Sequence, residues 1–476
     1  MYIGGQLVDG QGSEIKVLNP ADGSVIATMR GASAVQGEEA LIAAKKAFKT
    51  WARTSVDERI EWMKKFQEEI YKDIELLAKM NADESGKPYA DAKDDVKTAA
   101  ALLTYYGDEA RRMFGTAIPD KAAADHGVYH IVTHRPRGVV VAHLAWNYPL
   151  ENLGLKLGPA MASGCPIVLK PSSQTCLASL HFGEIAKRIG LPDGVVNIVT
   201  GKSYEVGKAL NESKIPNMIT MIGSSESGLQ VMREGATSIK NYSLELGGNA
   251  PAIIMSDCGD DLEDIAMNIV ATKASNAGQD CIGYNRIFVH ESLYERFLAL
   301  VEMYMDRVKP GSWKDEGEIV MGPMINREAR DRILSLIEDA KAKGATLVKG
   351  GEIPKGKEEG NFVTLALLRD VNDTMLCSKE EIFGPIISVR PYSNFDKVLE
   401  QAIDTDMGLA SYIWGHDSRA LQKAFETFES GDVFINGACR NTYIPHAGIK
   451  QSGLGCDQSK WSLESYYVFK SVCMKA

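Results

Sequence analysis

The sequence predicts an α/β fold built from more than one domain. The chain has 476 residues, which at the usual domain size corresponds to roughly two or three domains. Two regions alternate short apolar runs with helical stretches, a pattern typical of parallel strands joined by helices. Helix-rich segments, 37–83 and 88–113, precede the first of these regions, because Ala, Lys, Glu and Leu recur there at helical spacing.

The first alternating region begins at Gly138. We predict strands in the apolar runs GVVVAHLA, PIVLK, VVNIVT and MITMI. We predict helices between them over residues 150–163, 174–189 and 203–212. Parallel strands joined by right-handed crossovers would form a sheet that helices cover on both faces.

The second alternating region begins near Ala252. Its predicted strands are AIIM, RIFVH, IISVRPY, ASYIWG and VFINGA, and its predicted helices cover 261–275, 291–308 and 327–343. Short β-like pieces occupy 115–137, and the tail 457–476 ends in the apolar run SLESYYVFKSVCM. That terminal strand could pair across a subunit interface or within the chain, and the sequence leaves both open.

Composition excludes several functional classes. The chain carries 53 Lys and Arg against 63 Asp and Glu, a net charge of −10, which disfavours binding to nucleic acid or anionic membranes. No apolar run approaches the length of a membrane span, and MYIGGQLVDG lacks the features of a secretory signal, so we expect a cytoplasmic location. The eight histidines show no metal-ligand spacing, and GxSxG, HExxH and P-loop motifs are missing from the sequence, so no metal is expected.

The eight cysteines raise the first chemical question. They form no CxxC pair, so they indicate neither a disulfide framework nor a zinc site; they are Cys165, Cys176, Cys258, Cys281, Cys377, Cys439, Cys456 and Cys473. Cys281 stands out because it lies in a glycine-bracketed turn, NAGQDCIG, which can expose a sulfur and direct backbone N–H groups at an oxyanion. Buried apolar packing is the alternative for any single cysteine.

Two further segments carry groups that suit acyl chemistry. Glu245 lies in the apolar segment LELGGNAP, where burial would raise its pKa and suit it to general-base work. Asn147, in AWNYP, follows a predicted strand and would point into the crevice where open α/β sheets bind ligands. Its amide can donate to a developing oxyanion, although a turn-forming asparagine is the simpler alternative.

Three weaker segments have groups suited to a nucleotide. Lys170 ends the strand in VLKPSSQ and can reach a ribose or phosphate, or simply be solvated. Gly223 and Ser224, in IGSSESG, form a small-residue turn before a helix, which can bind an anion. Glu381, in EEIFGP, could hold a ribose hydroxyl pair. The spacing is not the dinucleotide fingerprint GxGxxG, so each of these segments is weak by itself.

Taken together in this order, the six segments resemble the NAD(P)-dependent aldehyde dehydrogenase superfamily, and the resemblance extends from YIGGQLVDG and NPADGSVIATM to the tail. It implies a Rossmann-like dinucleotide-binding domain, an α/β catalytic domain and a small β bridging arm that makes dimers or tetramers in this family. The implied boundaries are 1–114 and 138–247 for the first, 248–450 for the second, and 115–137 with 457–476 for the arm. HAGIKQSGLG resembles semialdehyde and lactaldehyde dehydrogenases.

The resemblance also implies a mechanism. Cys281 would attack the aldehyde to form a thiohemiacetal, with Asn147 and the Cys281 backbone N–H as the oxyanion hole. Hydride transfer to the nicotinamide would give a thioester, and Glu245 would activate the water that hydrolyses it. Lys156 matches a lysine near the oxyanion site that tunes the base or the nucleophile.

The cofactor implied is NAD or NADP. The matching residues are Trp146, Lys170, Ser173, Gly223, Ser224 and Glu381. NAD-preferring members often carry Glu at the position of Ser173, where it would repel a 2′-phosphate. Because Ser173 removes that repulsion and Lys202 lies in the next loop, we expect NADP to be accepted.

The substrate pocket implied by the resemblance is polar. Its residues are Tyr148, Glu151, Asn152, Leu155, Asp280 and Ile282. Glu151 and Asp280 favour a cationic aldehyde, and Leu155 replaces the Arg often found in carboxylate-binding members, whereas Arg440 and His446 argue the other way. We therefore expect a small polar aldehyde and rank amino-aldehydes such as 4-aminobutyraldehyde ahead of succinate semialdehyde, lactaldehyde and glycolaldehyde.

Two competing functions remain. A CoA-acylating aldehyde dehydrogenase would share the cysteine, but Glu245 favours water as the acceptor. A non-enzymatic, crystallin-like role would tolerate the loss of Cys281, Asn147 or Glu245, and all three are retained. The expected partners are a small-molecule aldehyde and further copies of the chain in a homodimer or homotetramer.

Overall fold

The computed structural model describes residues 1–118, 127–438 and 440–475. Residues 119–126, which belong to the segment 115–137 assigned to the arm, lie outside the described residues, as do Cys439 and Ala476. No helix in the described ranges is long and apolar enough to cross a membrane.

The N-terminal third forms short strands and then a run of helices. Its elements are β1 (Tyr2–Ile3), β2 (Gln6–Leu7), β3 (Glu14–Leu18), β4 (Val25–Arg30), α1 (Ala34–Trp51), α2 (Val56–Lys72), α3 (Ile74–Ser85), α4 (Tyr89–Ala110), β5 (Thr116–Ile118) and β6 (Val128–Pro136). Helix α1 begins where Ser33 and Gln36 each accept a hydrogen bond from the other's backbone N–H, a capping box. The helix-rich character predicted for 37–83 and 88–113 is therefore present, divided into these four helices.

The first alternating region forms a sheet with helices as crossovers. Its elements are β7 (Val140–His143), α5 (Pro149–Ser163), β8 (Ile167–Lys170), α6 (Leu177–Arg188), β9 (Val196–Ile198), a π-helical turn (Ser203–Gly207), α7 (Lys208–Glu212), β10 (Met218–Ile222), α8 (Ser225–Gly235) and β11 (Asn241–Glu245). Helix α5 has proline as its first residue and ends at Gly164, which adopts φ +88°. Helix α6 begins three residues later than predicted, because Ser173 and Gln174 form a turn and Thr175 a bend before the helix starts.

The second alternating region forms a second sheet. Its elements are β12 (Pro251–Ile254), α9 (Leu262–Ala274), β13 (Arg286–His290), α10 (Tyr294–Met305), α11 (Arg327–Ala342), β14 (Thr346–Lys349), β15 (Ala366–Arg369), α12 (Leu376–Lys379), β16 (Ile386–Tyr392), α13 (Phe395–Ile403), β17 (Met407–Gly408), β18 (Ala410–Trp414), α14 (Ser418–Thr427), β19 (Asp432–Ile435) and β20 (Ile449–Lys450). The chain then continues through β21 (Gly453–Leu454), α15 (Ser459–Ser465) and β22 (Tyr467–Lys475).

Strand order places a crevice at the centre of the first sheet. Within the described residues the order is β2-β1-β9-β8-β7-β10-β11-β21, with β7 to β11 parallel and the edge strands β21 and β1–β2 antiparallel to their neighbours. The chain leaves β7 toward β8 and β9 on one side and returns to β10 and β11 on the other. Ligands bind at such a reversal, beyond the carboxyl ends of the strands.

The second sheet repeats this arrangement. Its described order is β14-β15-β16-β13-β12-β18-β19, parallel except for β14. Its apolar core is one continuous cluster around β12 and β13, while the first sheet is packed on both faces by two separate clusters. The two sheets predicted from the alternating pattern are therefore confirmed, which explains why their strands are apolar almost throughout.

The tail strand pairs within the chain. Strand β22 runs antiparallel to β6, from Tyr467 opposite Pro136 to Lys475 opposite Val128, and β5 pairs with the other edge of β6. Helix α15 precedes β22 and packs Leu463 into the core cluster of the first sheet. The segment 457–476 thus contributes a packed helix as well as the strand of the three-stranded sheet.

Candidate active site

A cavity of about 440 Å³ lies beyond the carboxyl ends of β7, β10 and β11. It is lined by Ala145, Trp146, Asn147, Tyr148, Glu151, Asn152, Leu155, Ile222, Gly223, Ser224, Glu245, Leu246, Gly247, Asp280, Cys281, Arg332, Glu381, Phe383, Arg440, His446 and Asp457. Most of the residues selected from the sequence meet here. Those that do not line the cavity are Lys156, Lys170, Ser173 and Ile282.

The segment before Cys281 is a left-handed turn. Helix α9, predicted over 261–275, ends at Ala274, and Asn276, Ala277 and Gly278 then adopt φ values of 47°, 52° and 68°. A Cβ on Gly278 would lie 2.4 Å from the backbone oxygen of Gly384, so only glycine fits this position. The turn reverses the chain sharply and brings Cys281 to the cavity wall.

Gln279 fixes this turn. Its side-chain amide donates to the backbone oxygen of Asn276 at 2.8 Å and accepts from the backbone N–H of Ile325 at 2.8 Å. Asn276 in turn donates to the backbone oxygens of Asn147 at 3.0 Å and Gln279 at 3.1 Å. The cysteine segment and the asparagine segment are therefore tied together by hydrogen bonds between buried groups.

Asn147 lines the cavity, and hydrogen bonds at both ends of its amide hold the side chain in place. Its side chain is buried, its amide oxygen accepts from Asn152 at 3.4 Å, and its amide nitrogen lies 3.4 Å from the backbone oxygen of Gln279. The helix that follows is held by Asp95, which accepts from the backbone N–H of Glu151 at 2.7 Å. The Lys87 ammonium lies 3.7 Å from the centre of the Tyr148 ring, a cation–π contact.

Cys281 lies next to an imidazole. Its Sγ is 4.0 Å from Nε2 of His446, and Nδ1 of His446 lies 2.8 Å from the Asp432 carboxylate. Burial raises the pKa of the Cys281 thiol well above its ordinary value, and Asp280 acts in the same direction while Arg440 opposes it. A thiol in this setting is protonated unless a nearby base takes its proton.

Glu245 ends β11 at the cavity and is almost completely buried. Burial, followed by the charge of Asp457, raises its pKa well above the ordinary value, and Lys156 acts in the opposite direction. Within the described residues, neither carboxylate oxygen makes a hydrogen bond of ordinary geometry. The group is thus available to a ligand or water in the cavity.

Lys156 does not line the cavity but pairs with Asp457, which does. Its ammonium lies 2.6 Å from both carboxylate oxygens of Asp457, and both side chains are buried. The sequence placed Lys156 near the oxyanion site, whereas in the structure Asp457, not Lys156, lines the cavity. Lys156 therefore acts on Glu245 through space from outside the cavity, and Asp457, its ion-pair partner, acts on the pKa of Glu245 in the opposite direction.

The opposite end of the cavity has groups that fit a dinucleotide. Ser224 caps α8, where its hydroxyl accepts from the backbone N–H of Ser227 at 3.2 Å, and Gly223 precedes it. Such a helix N-terminus suits a pyrophosphate. Trp146 and Phe383 meet edge to face with ring centres 5.4 Å apart.

Lys170 and Glu381 could hold ribose hydroxyls. Lys170 ends β8, forms no ion pair within the described ranges, and burial lowers its pKa to about 8. Glu381 accepts from the backbone N–H of Gly248 at 2.8 Å, and burial raises its pKa to about 7. Ser173 lies in the turn after β8 and is partly exposed. A donor and an acceptor of this kind fit the cofactor that the sequence implies.

The substrate end contains charges of both signs. Glu151, Asp280 and Arg440 line the same cavity. Burial raises the pKa of Glu151, and Arg440 opposes that rise. Burial alone would lower the pKa of Arg440, but Glu151 and Asp280 reverse the effect and raise it. The two acids therefore have a guanidinium as their neighbour.

Ile282 does not reach the substrate end. Its side chain packs in the core of the second sheet, and its backbone oxygen accepts from the Tyr412 hydroxyl at 2.7 Å. Adjacent residues in a turn point to different sides, so Asp280 and Cys281 face the cavity while Ile282 faces the core.

Sequence reasoning missed several residues that support the site, namely Asn276, Gln279, Asp432 and Asp457. Asn276 and Gln279 lie inside NAGQDCIG, which the sequence already indicated to be a turn, so their role in forming that turn could have been predicted. No local pattern distinguishes Asp432 or Asp457 from other acids, because their partners are distant in the chain.

The remaining described cysteines are separate from this chemistry. Cys165, Cys176, Cys258 and Cys377 are buried, Cys456 is half-buried and Cys473 is exposed. Within the described ranges, no cluster of three or more His, Cys, Asp or Glu residues could hold a metal ion.

Comparisons with known proteins gave matches over nearly the whole chain. The model of the aldehyde dehydrogenase family matches residues 7–472. The glutarate-semialdehyde dehydrogenase of Pseudomonas putida is 37% identical over 99% of this chain and 97% of its own length. The NADP(+) succinate-semialdehyde dehydrogenase of Escherichia coli is 36% identical over 99% of this chain and 97% of its own length. The crystal structure of lactaldehyde dehydrogenase from Escherichia coli superposes with a TM-score of 0.96 at 32% identity, covering 100% of this chain and 99% of that one.

Proposed function

The chain belongs to the aldehyde dehydrogenase family, and from that premise we propose that it oxidises a small polar aldehyde to its carboxylic acid with NAD or NADP. The observation that carries the proposal is the meeting of Cys281, Asn147 and Glu245 in one cavity, although they come from three separate segments. Nucleophile, oxyanion donor and base are the groups that thioester chemistry needs.

Each of these residues has one task in the proposed cycle. The sulfur of Cys281 attacks the carbonyl carbon, and the amide of Asn147 donates to the oxygen that becomes negative. When bound, NAD or NADP supplies the hydride acceptor that turns the resulting thiohemiacetal into a thioester. Glu245 then takes a proton from the water that releases the acid.

The residues near the cofactor end support acceptance of NADP. Ser173 is neutral and partly exposed, so it presents no charge that would repel a 2′-phosphate. Lys202 lies in the loop before the π-helical turn and is partly exposed. We propose that NADP is used at least as well as NAD.

Arg440 changes the order in which substrates are ranked. Glu151 and Asp280 by themselves favoured a cationic amino-aldehyde, but they share the cavity with Arg440. A hydroxylated, uncharged aldehyde can donate to the acids and accept from the guanidinium without a net electrostatic penalty. We therefore propose a hydroxy-aldehyde such as lactaldehyde or glycolaldehyde first, and an amino-aldehyde second because of the two acids.

A panel assay tests both proposals. Lactaldehyde, glycolaldehyde, 4-aminobutyraldehyde, betaine aldehyde and succinate semialdehyde are each compared by kcat/KM with NAD and with NADP. We expect a hydroxy-aldehyde to rank highest and NADP to equal or exceed NAD. A succinate semialdehyde maximum would mean that Arg440 pairs with a substrate carboxylate, and a large preference for NAD would contradict the assignment of Ser173.

Matched variants separate the two ranked substrates. If the pocket binds a cation, Glu151→Gln and Asp280→Asn should each lower kcat/KM for amino-aldehydes more than for lactaldehyde. Equal effects on both substrates would remove the amino-aldehyde from consideration. A CoA requirement for turnover would instead identify an acylating enzyme.

The larger divisions of the chain are also a proposal. The first sheet with α1–α8 would bind the cofactor, the second sheet would supply the nucleophile, and the β5-β6-β22 sheet would join subunits in a dimer or tetramer. In support of the arm, β22 presents an edge that pairs with no further strand in the described part of the chain.

A further inference from the structure

The imidazole of His446 is held in one orientation beside the sulfur of Cys281. His446 is only 6% exposed and Asp432 only 8%, so both groups are withheld from bulk water. The backbone of His446 exchanges two hydrogen bonds of 2.8 Å with Asp457, and its Nδ1 lies 2.8 Å from the Asp432 carboxylate. A carboxylate accepts the Nδ1 proton, which leaves Nε2 of the neutral ring with a lone pair directed at Sγ, 4.0 Å away.

The Cys281 thiol needs a base nearby if it is to react as a thiolate. The thiol is partly buried and lies beside Asp280, a setting in which the thiolate is disfavoured. Glu245 has a separate task in the proposed cycle, because it must accept a proton from water at a later stage. A second base next to the sulfur would allow the two proton transfers to occur at separate groups.

We propose that His446, positioned by Asp432, takes the proton from the Cys281 thiol and later returns it, so that the nucleophile acts as a thiolate paired with an imidazolium. This inference rests on the function proposed above, since it assigns a further residue to the same reaction. Asp432 is a positioning residue, because it touches the imidazole and not the sulfur.

The proton inventory closes over one turnover. The Sγ–H proton moves to Nε2 of His446, and the thiolate forms a C–S bond with the aldehyde carbon. Bound NAD or NADP would supply the hydride acceptor that the thioester requires. Water would then attack the thioester and give one proton to Glu245. The C–S bond breaks, sulfur leaves as thiolate, and the proton on Nε2 returns to it. Glu245 gives its proton to solvent, and the acid product ionises and releases a second proton, so the enzyme returns to its starting protonation state.

Several charged groups surround the imidazole and would all affect a simple activity–pH profile. They come from different elements: Asp432 from β19, Glu245 from β11, Cys281 and Asp280 from the turn after α9, and Arg440 and Asp457 from the segments that flank His446. The test therefore measures the reactivity of the Cys281 sulfur itself and not the overall rate of the reaction.

The test measures alkylation of Cys281 by iodoacetamide as a function of pH. The full-length enzyme is used without aldehyde, and the labelled Cys281 peptide is quantified by mass spectrometry so that exposed Cys473 does not interfere. For His446→Gln we expect the alkylation rate at neutral pH to fall at least roughly tenfold, and its midpoint to move to higher pH. Asp432→Asn should shift the midpoint in the same direction by less.

A second histidine provides the matched control. His416 is exposed, contacts Asp261, and does not line the cavity, so His416→Gln should leave the profile unchanged. An unchanged profile in folded His446→Gln would overturn the proposal. A higher KM for aldehyde with an unaltered profile would also overturn it, because His446 would then be only a substrate contact.

One measurement does not depend on whether the His446 and Asp432 variants fold. The wild-type enzyme should show the ultraviolet absorbance of a thiolate at neutral pH, and Cys281→Ala should lack it. If wild-type Cys281 alkylates with the profile of an ordinary thiol, the thiolate–imidazolium pair does not form. Failure of the proposed function would be seen separately, as no NAD(P)H formation with any aldehyde while the alkylation result stands.

Discussion

Glu245 shows how burial can make a carboxylate a stronger base. The carboxyl group is 3% exposed and its pKa is well above the ordinary value, mainly through burial. A base with a raised pKa holds a proton more strongly once it has accepted one, which favours proton transfer from water. Lys156 limits the rise, because its positive charge acts in the opposite direction.

Replacing Glu245 by Gln should separate the two halves of the reaction. Cys281 and Asn147 are untouched, so we expect a burst of about one NAD(P)H per active site as the thioester forms. Steady-state turnover should then fall roughly 10²- to 10⁴-fold, because no base activates water. Rapid-mixing absorbance measures both phases.

The control for this experiment removes the nucleophile. Cys281→Ala should give neither burst nor turnover, whereas Cys473→Ala, which changes an exposed thiol, should behave as the wild type. Unimpaired steady-state turnover in Glu245→Gln would show that another group activates the water.

The three residues proposed to react could be selected from the sequence because each has a local signature. Cys281 stands in a glycine turn, Glu245 in an apolar strand and Asn147 at a strand end, and all three line the cavity. Their partners have no such signature. Asp432 contacts His446 and lies 151 positions beyond Cys281, so only the folded chain reveals the Cys281–His446–Asp432 arrangement.

At the scale of elements, the turn before Cys281 matters more than the helix that leads to it. Gln279 connects this turn to the segment at Ile325, and Asn276 connects it to Asn147. The relative position of sulfur and oxyanion donor therefore depends on a few buried amide hydrogen bonds. Small displacements of reacting groups are costly in rate.

Replacing Gln279 by Met should damage catalysis while keeping the fold. The side chain keeps its size but loses its hydrogen bonds to Asn276 and Ile325. We expect stability to fall by about 1–3 kcal/mol and kcat/KM to fall roughly a hundredfold. Thermal unfolding and steady-state kinetics give the two values.

Gln67 offers a matched control for that substitution. It also donates two side-chain hydrogen bonds, to the backbone oxygen of Ala100 and to Thr104, but it lies between α2 and α4 and does not line the cavity. Gln67→Met should cost stability without a comparable loss of kcat/KM. If both variants lose the same share of kcat/KM, the loss in Gln279→Met comes from reduced stability and not from a displaced Cys281 turn.

The elements themselves were predicted with uneven success, for physical reasons. Strands such as MITMI (218–222) and RIFVH (286–290) match their predicted bounds because both ends are marked by polar or turn residues. Helix α9 stops short of its predicted end, because the left-handed turn at Asn276 is set by contacts with Gly384 and Ile325. Tertiary contacts of that kind leave no periodic trace in the sequence.

At the scale of the whole molecule, packing several carboxyl groups in the interior links stability to pH. Burial raises the pKa of Glu84 to about 8 and of Glu381 to about 7, and raises those of Glu151 and Glu245. Glu84 joins α3 to α6, since its oxygens accept from the backbone N–H groups of Leu177 at 2.7 Å and Ala178 at 3.0 Å. These groups hold protons in the folded state at a pH where the unfolded chain has released them.

The sign of the effect follows from linkage. A raised carboxyl pKa means that the folded state binds more protons, so the free energy of unfolding falls as pH rises from 4.5 toward about 8. Burial lowers the pKa of His143 to about 4, so this residue makes the free energy of unfolding rise with pH. That rise is complete above pH 6.5, where the histidine is neutral in the folded and the unfolded chain. Burial lowers the pKa of Lys170 and Lys273 to about 8, so these lysines oppose the carboxyl groups only weakly below pH 8 and more strongly above it. Between pH 6.5 and 8 the carboxyl groups therefore dominate.

We expect the wild-type protein to lose stability between pH 6.5 and 8, and Glu84→Gln to lose less. Because Glu84 is fully buried and its pKa is raised from 4.5 to about 8, its share of that loss is roughly 1 to 2 kcal/mol. Urea unfolding at the two pH values measures it, and any constant cost of the Gln side chain cancels in the difference. Glu318→Gln, which changes an exposed carboxylate, is the control and should follow the wild type. If Glu84→Gln and the wild type lose the same amount, Glu84 is already ionised in the folded protein, and the helix N-terminus it caps outweighs its burial.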